Sequence, residues 1–138
     1  EKAMDFYGEN LDTWMETTLS EIKKHTDREI VVRLKKSRKE RVLQHTIQDA
    51  LQDDVHCLVT YNSIAAIEAL MEGKPAVVLG QNAASSLCSN DLSKIENPLV
   101  PSPDEVMYLL SNLAYHMFTV TELHDGTAWR MVQEWYSK

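Results

Sequence analysis

The sequence predicts an α/β domain in which short parallel strands are covered on both faces by helices. Three observations predict it. Short, mostly apolar runs occur at 29–34 (EIVVRL), 56–61 (HCLVTY) and 75–79 (PAVVL). Segments of helical periodicity separate these runs, and strands alternating with helices imply parallel pairing with both sheet faces buried. Polar or turn-forming residues close each run, as strand ends require.

Taken in order, Leu11, Met15, Thr18, Leu19 and Ile22 recur at helical spacing. Asn10 or Asp12 suits the cap of that helix, and Lys23-Lys24-His25 suits its C-terminal end. The β-branched run 29–34 is the first expected strand. A short helix is expected at 46–51, where Ile47, Ala50 and Leu51 supply an apolar side. The run 56–61 is the second strand. A helix over 64–72 follows, with Gly73 as its stop signal. The run 75–79 is the third strand, ended by Gly80. Residues 81–102 are polar and turn-rich. Ser102-Pro103-Asp104-Glu105 then reads as a helix start: a capping residue, proline at the first position, and acids. Val106, Leu109, Leu110 and Leu113 give that helix its apolar face, and a last helix near 127–136 carries Trp129, Val132 and Trp135.

A chain of 138 residues fits one domain. Three strands are few for a complete doubly wound domain, so residues 1–138 are expected to be a single domain that is a fragment of a larger protein. The apolar share of 43% and charged share of 25% are those of a globular protein. No apolar run approaches the length of a membrane span, and the first residues do not resemble a signal peptide. Cys57 and Cys88 have no CxxC or metal spacing and are expected as reduced thiols in the cytoplasm. The five histidines are scattered, so no metal site is expected. A net charge of −7 argues against wholesale binding to a polyanion, whose affinity comes from neutralised phosphates. Lys35, Lys36, Arg38, Lys39 and Arg41 form one local basic run against that trend.

In an open parallel sheet, ligands bind beyond the carboxyl ends of the strands. Three such ends are expected. Arg33 and Lys35 follow the first strand; Thr60, Asn62 and Ser63 follow the second; Gly80, Gln81 and Asn82 follow the third. On one rim these would place cations, hydroxyls and a helix N-terminus around a phosphate. Glu68, four residues after Ile64, lies at the edge of its helix's apolar face, where a carboxylate needs a partner. A ribose diol is one such partner. Each feature also has a plain reading. Asn62 and Ser63 can simply cap a helix, Glu68 can be salt-bridged, the basic run can be a solvated face, and Gly80 can only end a strand. Trp129 and Trp135 read as core or interface.

The stretch 60–80, TYNSIAAIEALMEGKPAVVLG, resembles the donor-site signature of GT-B capsule-type glycosyltransferases. That pattern is a strand, a polar run ending in Ser or Thr, a helix with internal Glu-Ala, then Gly-Lys-Pro and another strand. Ser63, Glu68-Ala69, Gly73-Lys74-Pro75 and Gly80 stand at its intervals, and Asn97-Pro98 follows. Upstream, Arg33 is present where the family shows an Arg-x-His-Pro turn, but the His and Pro are not. The whole chain more loosely resembles phage-encoded proteins with such a domain.

The resemblance implies a Rossmann-like GT-B half. Its transferase activity would hold the donor's diphosphate near Ser63 and the cations, and the ribose at Glu68. It implies no cofactor or metal, the nucleotide-sugar being substrate. It also implies an absent N-terminal domain supplying the acceptor site, with a glycan, DNA or protein as acceptor. Two rivals share the expectation: a non-catalytic nucleotide-, anion- or protein-binding module, and a sugar-nucleotide 2-epimerase of the same architecture.

Overall fold

The computed structural model describes residues 10–34, 47–51 and 54–137. The chain forms two compact units, Glu1–Pro103 and Asp104–Lys138.

The first unit contains α1 (Leu11–Ile22), α2 (Ile47–Ala50), β1 (Leu58–Thr60), α3 (Ala65–Met71) and β2 (Ala76–Val78), then two 3-10 turns, Ser85–Leu87 and Leu92–Lys94. Asn10 starts α1: its side-chain oxygen accepts from the N–H groups of Asp12 at 2.9 Å and Thr13 at 3.2 Å. That satisfies two donors which a helix start leaves orphaned. Thr18 and Ile22, one turn apart, are the buried side chains of α1. Glu21 closes the helix by pairing with Lys24 at 2.6 Å and His25 at 3.0 Å.

β1 and β2 run parallel, with Leu58 opposite Ala76, Val59 opposite Val77 and Thr60 opposite Val78. The α3 helix makes the crossover between them. Ala66 and Ala69 are fully buried, and their small side chains let its backbone come close to both strands. Gly73 ends α3 in the left-handed conformation, φ +69°. The Lys74 N–H reaches back to the Ala69 carbonyl at 2.8 Å and the Gly73 N–H to the Leu70 carbonyl at 3.1 Å. This is the Schellman arrangement, which a side chain at position 73 would strain. All of β2 is buried, whereas β1 is half-buried throughout. On its other side β2 forms, among the described residues, a single parallel bridge, from Val77 to Ser89. Ile22, Val77, Leu92 and Ile95 form the core, with Ile30, Cys57, Val59 and Leu79 packed against it. His56 Nε2 lies 2.8 Å from the Ile95 carbonyl, so that nitrogen carries the proton and donates.

The expected Rossmann-like parallel sheet is not formed. Among the described residues there are six α-helices and a single two-stranded sheet. The run 29–34, read as the first strand, has no regular structure. Ile30 reaches the core, but Val31 is 83% exposed and Val32 and Leu34 are exposed as well. β-branched composition reports a fit to a half-buried pleated surface, and it cannot supply the neighbouring strand. Among the described residues no strand lies beside the run. Arg28 and Thr26 hold its start in place instead: both bond the Glu96 carboxylate, the guanidinium at 3.2 Å.

The second unit is helical: α4 (Pro103–His116), α5 (Val120–His124) and α6 (Thr127–Tyr136). Proline at the first position and Asp104 and Glu105 in the first turn begin α4, as its sequence indicates. A capping box begins α5. The Thr119 hydroxyl accepts from Glu122 N–H at 3.2 Å, and the Glu122 carboxylate accepts from Thr119 N–H at 2.8 Å. Gly126, at φ +80°, turns the chain into α6, where Asp125 accepts from Thr127 N–H at 2.8 Å. Tyr115, His116 and Phe118 gather around Trp135, with ring centroids 4.9 to 5.8 Å away. The inward stripe of α6 is Ala128, Met131, Val132 and Trp135. Trp129, grouped by the sequence with Val132 and Trp135, faces outward instead.

Candidate interaction surface

The strand-end rim was the expected site, and the fold assembles part of it. The Thr60 carbonyl accepts from Leu79 N–H at 3.0 Å and the Tyr61 carbonyl from Gly80 N–H at 2.8 Å. The Asn82 amide donates to the Ser63 carbonyl at 2.7 Å. Thr60, Asn62, Ser63 and Gly80 therefore share one edge. Glu68 is half-buried within α3. Arg33 lies in the irregular run 29–34, at no strand end, and Lys35 lies outside the described residues.

Much of this rim is bonded to itself. The Ser63 hydroxyl accepts from Ala65 N–H at 3.2 Å, so it serves the helix start. The Asn82 side-chain oxygen accepts from Ala84 N–H at 2.8 Å, and Asn82 N–H donates to the Ser85 hydroxyl at 3.1 Å. A β-carbon on Gly80 would come within 3.0 Å of the Tyr61 ring and 3.1 Å of its carbonyl oxygen, so position 80 is a close backbone approach. Tyr61 is braced in turn by Trp14, edge-on at 5.8 Å. The α3 helix has seven residues, less than two turns, and so little aligned dipole to offer an anion.

These facts correct the functional reading. Two adjacent strands give no strand-order reversal, and so none of the crevice in which open α/β sheets bind nucleotides. The chain is not a GT-B donor domain. The glycosyltransferase activity, the nucleotide-sugar donor as partner and the related epimerase reading all rested on that architecture, and they fall with it. The likeness over 60–80 reflects one strand–helix–strand unit, which does not by itself make a donor site.

A different set of residues stands out in the second unit. Among residues 104–137 only Val106 and Ala128 are buried. The exposed large side chains are Met107, Tyr108, Tyr115, Met117, Val120, Leu123, Trp129 and Tyr136, the last 88% exposed. On α4, Tyr108 lies opposite the row Val106, Leu109, Leu110 and Leu113. On α6, Trp129 and Tyr136 stand two turns apart on one row with Gln133 between them. Arg130, Gln133, Glu134 and Ser137 line a shallow, open depression on the outer face of that same helix. A unit of about this size rarely stabilises itself with a core of its own. Its exposed residues are largely Tyr, Trp and Met, the types that protein interfaces favour.

The two cysteines are free thiols, and burial raises both, Cys88 to about 11. Such thiols are poor nucleophiles at neutral pH. Among the described residues no helix is long and apolar enough to cross a membrane. Comparison with known proteins finds no matching family model, no matching curated protein and no matching solved structure.

Proposed function

We propose that this chain is a non-catalytic protein-interaction module whose binding surface is the outer side of α4, α5 and α6. One observation carries the reading. A 35-residue helical unit exposes eight large apolar or aromatic side chains while burying only two residues among those described. Exposed Trp and Tyr are the side chains that most often anchor an interface, because each removes a large area from water at little cost in rotamer entropy. A cytoplasmic setting belongs to the proposal and is supported by the two free thiols.

The test is site-specific photo-cross-linking in the cells that make the protein. A benzophenone side chain at position 129 or 136 is expected to give discrete protein adducts. The same group at Glu16, exposed on α1, is expected to give none. Equal labelling at all three positions, or none at 129 and 136, contradicts the proposal.

A further inference from the structure

Resting on the interaction reading, we infer that the partner is a basic amphipathic helix of another protein, with apolar anchors flanked by Lys or Arg. The argument is charge complementarity around an aromatic and methionine surface. Residues 104–138 carry Asp104, Glu105, Glu122, Asp125 and Glu134 against Arg130 and Lys138, a net charge of −3. The acids are distributed over all three helices. Asp104 lies one turn before the exposed Tyr108 on α4; Glu122 and the following Asp125 flank the exposed Leu123 of α5; Glu134 is exposed on α6, about 140° round the helix from Trp129 and on the far side of Gln133. The one described cation, Arg130, already donates to the Thr127 hydroxyl at 3.0 Å.

The same charges weigh against three other occupants. A second copy would bring −3 against −3 within a whole chain of −7, and like charges placed face to face disfavour the complex. An anionic membrane leaflet attracts basic segments and repels this one. A nucleic acid offers only more negative charge. A basic helix reverses each of these terms. Its i, i+3, i+4 and i+7 anchors also match the two-turn spacing of Trp129 and Tyr136, about 10.5 Å along the helix. The unbranched side chains of Met107 and Met117 can adjust to the shape of such anchors.

The experiment uses the full chain and a designed Leu/Lys amphipathic helix, with a Leu/Glu helix of the same pattern as control. Calorimetry is expected to show saturable binding of the Leu/Lys helix and none of the Leu/Glu helix. Raising salt from 50 to 500 mM is expected to weaken binding at least tenfold. Trp129→Ala and Tyr136→Ala are expected to weaken it about tenfold each. Glu134→Lys is expected to weaken it at least fivefold, whereas Glu16→Lys, an equal change of net charge on α1, weakens it less than twofold. Equal loss in the two lysine variants overturns the inference, because only net charge is then being read. So does binding of both helices alike or of neither, co-sedimentation with phosphatidylserine vesicles, or a micromolar self-dimer in sedimentation equilibrium. If the Leu/Lys helix fails while adducts persist at positions 129 and 136, the partner chemistry is wrong and the module reading stands. If the adducts are absent too, both are wrong.

Discussion

Replacing Val77 by alanine separates the observed fold from the three-stranded sheet that the sequence suggests. Val77 is fully buried in the middle of β2, within the core formed with Ile22, Leu92 and Ile95. Val59 faces it across the ladder but is only half-buried in β1. Losing two buried carbons from Val77 costs about 1.6 kcal/mol in transfer free energy. The cavity left in a site that cannot fully collapse adds roughly 1 kcal/mol. Val77→Ala should therefore destabilise by about 2–3 kcal/mol, and Val59→Ala by about half of that. Val32→Ala, in the exposed run, should stay within about 0.5 kcal/mol. Urea unfolding followed by circular dichroism measures all three. With a slope of about 1.5 kcal/mol/M, the Val77→Ala midpoint should fall by roughly 1.3–2 M. In a sheet with 29–34 paired beside β1, that strand would be central and Val59 at least as costly to truncate as Val77. A Val59→Ala loss equal to or above that of Val77→Ala, or a Val32→Ala loss above about 1.5 kcal/mol, would refute the two-stranded account.

Three further outcomes follow from individual residues. Gly73→Ala should cost about 1–2 kcal/mol in the same urea assay, because the left-handed backbone penalises any side chain although open space surrounds the position. Cys88, raised by burial to about 11 from an ordinary 9.0, should react with iodoacetamide at pH 8 on the order of a hundredfold more slowly in the native chain than in urea. A hydrogen bond from Thr26, and then one from Arg28, hold the Glu96 carboxyl below its ordinary value of 4.5. Its stabilising effect is therefore complete above about pH 4.5 and is lost as pH falls through the lower folded value. Amide exchange at residues 26–28, corrected for the intrinsic rate, should rise below that pH, and in a Glu96→Gln variant it should not depend on pH there.

Local chemistry was the readable part of this chain. The cap at Asn10, the stop at Gly73 and the proline start at Pro103 depend on a few adjacent residues, and each forms where its residue type requires. The pattern Thr119-Val120-Thr121-Glu122 is equally local: it has the Thr-x-x-Glu form of a capping box and marks the start of α5. The absence of a strand at 29–34 was not readable, because a run such as EIVVRL records what a strand would accept, and no residue within it states whether a partner is present. The resemblance over 60–80 failed for the same reason at a larger scale: Ser63, Glu68 and Gly80 stand at suitable intervals for a donor site, but that site also needs strands this chain does not pair. The outward surface of the second unit was partly legible. Once Val106, Leu109, Leu110 and Leu113 are taken as the inner row, helical spacing alone puts Tyr108 on the opposite side. Spacing misplaced Trp129, since it takes the burial of Ala128 to show which side of α6 faces inward.

The central claim is that the exposed aromatics of residues 104–138 serve a partner and not the fold, and the urea midpoint of the full-length variant Tyr108→Ser, Trp129→Ser, Tyr136→Ser tests it most directly. Exposed side chains contribute little to stability individually. The variant is therefore expected to keep its slope and remain within about 1.5 kcal/mol of the parent protein, whereas aromatic side chains in a core cost roughly 3–5 kcal/mol each when truncated. A loss above about 4 kcal/mol, or a collapse of the unfolding slope, would show that these side chains hold the chain together and would contradict the account.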